Sequence, residues 1–145
     1  YHDYYTHHSG NGKPDLWEND RPIEATGYMT DLITERAVKF IEQTAGRPFF
    51  IDVAYNAPHW PYQVPDKPSV PPDNRRHVMP GDSTTSTRPN YVAMVERDDR
   101  GVGEVLRAQE RRGVANNTVV IFTNDNGGEW LANNAPLFNR KLTVS

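Results

Sequence analysis

The chain has 145 residues, 36% of them hydrophobic and 24% charged, with a formal net charge of −3 and no cysteine. That balance suits one globular domain of ordinary size. It gives no basic excess for nucleic acid, and excludes disulfides, thiolate metal sites and a cysteine nucleophile. Twelve prolines and ten glycines predict long connections between regular elements, and no apolar run approaches the ~20 residues that span a bilayer.

Residues 1–28 are rich in Tyr, His, Gly, Asn and Pro without a period, and read as loop. His2, His7 and His8 beside Asp3 invite a metal reading, but their spacing fits neither a helix face nor a finger, and a solvated or substrate-facing loop is expected. A helix follows from Thr30. Ile33, Ala37, Phe40 and Ile41 share one face, Thr30 or Asp31 can cap the first turn, and Gly46 suits a left-handed C-terminal cap. Residues 48–55 read as a strand running into Asn56-Ala57-Pro58-His59-Trp60-Pro61, where two prolines restrict the backbone around His59. Residues 64–90 are proline-rich and aperiodic, with 81–87 the most flexible part. A second helix is predicted over 91–113, with Tyr91, Met94, Val95, Val102, Val105 and Leu106 as its apolar stripe. Asp98 interrupts that stripe. Gly101 and Gly103 weaken the helix by roughly 1 kcal/mol each relative to Ala, with close packing against another backbone as the expected reason.

Residues 118–122 form a β-branched and aromatic run without polar alternation, as in a strand buried on both faces of a parallel sheet. It ends in Asn124-Asp125-Asn126-Gly127-Gly128. Ligands of open α/β sheets sit beyond the carboxyl ends of strands. A carboxylate beside a carboxamide there offers hard oxygen ligands for Ca²⁺ or Mg²⁺, although the same residues also make an ordinary turn. If 48–55 and 118–122 run parallel, His59 and Asp125 emerge at one sheet edge. The order helix, strand, long loop, helix, strand predicts an α/β layer. Two strands do not complete a parallel sheet, so further strands are expected from elsewhere.

Taken together, Gly27 to Asp31, Pro48 to Ile51, the Asn56–Pro61 loop, Tyr91 to Glu96, Val119 to Gly128 and Arg140-Lys141 resemble the middle and later part of a type I sulfatase catalytic domain. The similarity is greatest to the arylsulfatase A-like group of the alkaline phosphatase-like superfold. It implies an α/β fold, part of a parallel-sheet sandwich incomplete in this chain. Residues 1–145 would be a partial catalytic domain: loop 1–28, helix, strand and His loop 29–63, long loop 64–90, helix, strand and metal loop 91–128, and Lys segment 129–145.

The resemblance implies that Asp125 and Asn126 are ligands of an active-site Ca²⁺, that His59 contacts the sulfate and assists the leaving group, and that Lys141 binds a sulfate oxygen. Substrates would be sulfated small molecules or glycans, in a periplasmic or secreted setting, with neither nucleic acid nor a membrane span involved. The family's nucleophile is a formylglycine made in a Cys/Ser-x-Pro-x-Arg motif. This chain lacks that motif: Ser69-Val70-Pro71-Pro72-Asp73 has Asp where Arg is required, and Leu142 stands where Gly usually follows the Lys. An internal fragment, inactive alone, is therefore expected. The alternatives are a phosphonate or phosphate ester hydrolase of the same superfold, and a non-catalytic binding protein.

Overall fold

The computed structural model describes residues 3–9, 11–44, 46–68, 86–137 and 140–141. Ser69 to Asp73, most of the stretch 81–87 expected from the sequence to be most flexible, His2 and Leu142 lie outside the described residues.

Two helices form the scaffold. Helix α1 spans Met29–Thr44 and helix α2 spans Arg88–Arg111. The apolar face of α1 lies where its period places it: Ala37 and Ile41 are buried, while Phe40 stays partly exposed and meets Phe49 edge-on. The start of α1 differs from the expected cap. The Tyr28 carbonyl accepts from the Asp31 and Leu32 amides. The Asp31 carboxylate is instead engaged by Arg97 of α2 through two 2.7 Å hydrogen bonds. Asp66 adds a third contact to the same guanidinium at 3.2 Å. Helix α2 begins earlier than its apolar stripe, because Thr87 caps it by accepting from the Asn90 amide and Pro89 fits the first turn. Gly46 and Gly113 both take positive φ after their helices, as expected of left-handed terminators.

Gly101 is where the helices come together. A Cβ there would lie 2.5 Å from the Thr34 hydroxyl of α1 and 2.8 Å from the Tyr55 hydroxyl, which are themselves hydrogen-bonded. The close approach is thus to side chains, not to another backbone. At Gly103 the atoms nearest to a Cβ would belong to Arg107 of its own helix.

The first 28 residues are more than loop. Strands β1, Trp17–Glu18, and β2, Arg21–Pro22, pair antiparallel with Trp17 opposite Pro22, across a turn where Asn19 takes φ 58°. This hairpin is the only sheet among the described residues. Residues 48–55 and 118–122 do not pair as strands among the described residues. Val119 is 87% exposed, so the run 118–122 is not buried on both faces as the sequence suggested, and Phe50 in the run 48–55 is 88% exposed. A strand is secured by its ladder partners, and the described residues provide none for either run.

The core is aromatic and lies beneath the loops. Tyr4, Tyr28, Met29, Tyr62, Met94 and Leu131 pack together, with Trp60, Tyr91 and Trp130 at the margin. It thereby joins the N-terminal segment, both helices, the end of the His59 loop and the segment after Gly128.

Candidate active site

His59 is held from behind. The buried Tyr4 hydroxyl lies 2.9 Å from the Asn56 carbonyl and 3.0 Å from the His59 carbonyl, donating to the loop at both ends of its turn. The His59 amide closes that turn on Asn56, and Tyr4 is fixed in turn by stacking on Tyr28 and by Gln63 accepting from its amide. His59 Nδ1–H donates to the Trp60 carbonyl at 2.6 Å. In the neutral ring this leaves the lone pair on Nε2, the nitrogen suited to proton transfer. Both prolyl bonds flanking His59 in this loop, at Pro58 and Pro61, are cis.

The histidines near the N-terminus play another part. His7 is buried and donates from Nε2 to the Gly27 carbonyl, and His8 donates from Nδ1 to Thr6. Asp3 is also buried; its carboxylate accepts from the Tyr5 and Thr6 amides and from Gln63 Nε2. His7 and Asp3 are therefore structural, not solvated or substrate-facing as expected. The aperiodic sequence hid this, since the Asp3–Gln63 contact spans most of the first half of the chain.

Asp125 and Asn126 follow the extended run and are exposed. Their chemistry, one carboxylate and one carboxamide oxygen, fits a hard cation such as Ca²⁺. Among the described residues, no group of three or more His, Asp or Glu side chains could hold a metal ion, so two ligands from this loop are a partial shell.

The segment after the loop is closely constrained. A Cβ on Gly128 would collide with the Ala132 methyl and lie 2.9 Å from Asn134 Oδ1. Asn134 accepts from the Gly128 amide at 3.0 Å and donates back to its carbonyl at 3.2 Å, and the same carbonyl accepts from the Lys141 amide at 3.1 Å. Gly128 must be glycine, and it ties the Asp125 loop to the Lys141 segment.

A residue that the sequence did not single out connects the parts. Glu129 accepts through one carboxylate oxygen from the Tyr62 hydroxyl at 2.7 Å, and through the other faces Lys141 Nζ at 3.5 Å. Burial, and then the Glu129 carboxylate, hold the Tyr62 phenol above its ordinary range, so it remains a donor. Tyr62 lies three residues beyond His59. Glu129 thus brings Lys141 to the end of the His59 loop. No local sequence signal marks this, because a lone Glu after two glycines looks like surface.

The family model described as Sulfatase matches residues 1–142. The chain is 34% identical over 116 residues to the uncharacterized sulfatase YdeN of Escherichia coli K12, covering 79% of this chain and 20% of that protein. It is 31% identical over 151 residues to mouse arylsulfatase J, covering 97% of this chain and 24% of the relative. Among solved structures, the crystal structure of Ps i-CgsB superposes with a TM-score of 0.72 at 28% identity, covering 94% of this chain and 33% of that one. Its complex with k-i-k-neocarrahexaose gives 0.71 at 27% identity, covering 93% and 32%. The chain therefore spans about a sixth to a third of the length of these and similar matched proteins.

Proposed function

This chain belongs to the sulfatase family, and from that premise we propose that it forms part of the active site of a sulfuric ester hydrolase. The fold is that of the alkaline phosphatase-like sulfatases, present here as a partial α/β unit. The observation that carries the proposal is the convergence of three segments. Gly128 ties the Asp125 loop to Lys141, and Glu129 ties Lys141 to Tyr62 at the end of the His59 loop.

A sulfate ester is cleaved through a transition state with negative charge on the sulfuryl oxygens and the departing oxygen. Lys141 supplies a fixed positive charge to a sulfate oxygen. His59, oriented through Nδ1, delivers a proton from Nε2 to the departing oxygen when its ring is protonated. Asp125 and Asn126 would hold Ca²⁺, which when bound adds Lewis-acid stabilisation of the same charge. The formylglycine nucleophile and the remaining calcium ligands belong to a longer protein of which these residues are a part. Support for a sulfated glycan as substrate comes from the solved neighbour held with k-i-k-neocarrahexaose and from a Bacteroides thetaiotaomicron endo-4-O-sulfatase, 36% identical over 94 residues. Such a protein would be exported to the periplasm or secreted. Among the described residues, no helix is long and apolar enough to cross a membrane.

The test uses the full-length protein with 4-nitrophenyl sulfate and, separately, 4-nitrophenyl phosphate. Sulfate ester hydrolysis that requires added Ca²⁺ and falls roughly 10²- to 10⁴-fold in His59→Ala is expected. Turnover of the phosphate ester alone would move the reading to a phosphoesterase of the same superfold. No turnover of either, by protein shown to carry formylglycine, would refute it.

A further inference from the structure

Lys141 has four rotatable side-chain bonds, and its usefulness to a sulfate depends on what restrains them. The backbone half of that restraint is the Lys141 amide bonded to Gly128. The side-chain half is Glu129, whose carboxylate is itself restrained by the Tyr62 hydroxyl. Tyr62 is 2% exposed and packed edge-on against Tyr91 of α2, so the anchor reaches the core.

We propose that Glu129 is a positioning residue for Lys141: with Tyr62 it holds the ammonium at the place where a sulfate oxygen binds. The inference rests on the catalytic reading of Lys141 above. Two features argue against an incidental surface pair. Both side chains are about four-fifths buried, at 21% and 23% exposure, whereas the Arg36–Glu18 and Arg107–Glu104 pairs are about half exposed. In addition, the carboxylate uses both oxygens on residues from different parts of the chain, which fixes its plane.

The chemistry gives the arrangement a particular signature. Glu129 also offsets part of the charge that attracts the anionic substrate. Its removal should therefore leave ground-state binding no weaker, while the transition state loses a correctly placed ammonium.

The experiment is a double-mutant cycle in the full-length, calcium-loaded enzyme with 4-nitrophenyl sulfate, with melting temperatures as controls. Glu129→Gln keeps the size of the side chain and an acceptor for Tyr62. It is expected to lower kcat roughly tenfold or more without raising KM. In a Lys141→Met background the same change should alter kcat less than twofold. Equal losses in both backgrounds would show a purely structural role and overturn the proposal. So would wild-type kcat in Glu129→Gln while Lys141→Met is impaired; in that case the catalytic reading of Lys141 stands. Full activity in Lys141→Met would remove both readings together. Should Glu129→Gln fail to fold, Tyr62→Phe decides between the outcomes, since it frees the carboxylate without removing it. A several-fold fall in kcat that vanishes in the Lys141→Met background supports the proposal, and its persistence there overturns it.

Discussion

At Asp98 the interrupted stripe of α2 has a measurable consequence. The side chain is half-buried with Oδ1 shielded and without a hydrogen-bond partner among the described residues. Burial first, and then the neighbouring Asp99 carboxylate, push its pKa up from 3.8 to about 6. The folded state therefore binds this proton more tightly than the unfolded chain, and stability falls as pH rises from about 4 to about 6. Asp98→Asn should remove that slope and raise stability at pH 7 by on the order of 1 kcal/mol, after discounting for the part of the group still in water. Thermal melts of both proteins at pH 4.5 and 7 would check this. A variant whose melting temperature tracks the wild type at both values would count against it. The position of Asp98 on the apolar face was legible from helical spacing. Its lack of a partner was not, because that depends on what the Tyr55 segment and the N-terminal segment bring near it.

The helices were legible as elements because their 3.6-residue period is a local property. Their ends were less so: Thr87 and Pro89 start α2 before the first residue of its apolar stripe, and Asp31 serves Arg97 in place of a cap. The two glycines of α2 should respond in opposite ways. Gly101→Ala gains helix propensity but drives a methyl into the Thr34 and Tyr55 hydroxyls, for a net loss of about 1–3 kcal/mol. Gly103→Ala meets the guanidinium of Arg107 at 3.2 Å, the mobile end of a long side chain that can give way. It should therefore be stabilising, by up to about 1 kcal/mol. Chemical denaturation of the pair distinguishes packing from propensity. Equal effects at the two positions would contradict this account.

For the molecule as a whole, the family and the candidate residues could be read from short motifs, but the device that joins them could not. His59, Asp125, Asn126 and Lys141 stand in recognisable local contexts. Glu129, Tyr4 and Gln63 act through partners dozens of residues away in most cases, and a sequence without periodicity does not announce such contacts. The expected parallel sheet is the complementary case: its strand-like runs were legible, yet a ladder needs neighbours that the described residues do not include. Ile121 is 83% exposed and Phe122 71%, which is a large apolar area to leave in water. The 145-residue polypeptide on its own is therefore expected to bind hydrophobic dyes and to show no hydrolysis of 4-nitrophenyl sulfate above background. Turnover by that polypeptide would contradict the division of the active site proposed above.

The exposed run before Asp125 also bears on the order of events in folding. The turns within each of helices α1 and α2 rest on contacts near in sequence, which form early, whereas the pairing of the two helices joins residues more than 60 positions apart. In the longer sulfatase proposed above, residues 118–122 would find ladder partners in parts of the polypeptide beyond the described residues, and pairing between segments distant in sequence is slow. Asp125 and Asn126 are carried at the end of that run. The proposed calcium ligands would then be among the last groups to reach their places, together with the Lys141 segment that Gly128 ties to them.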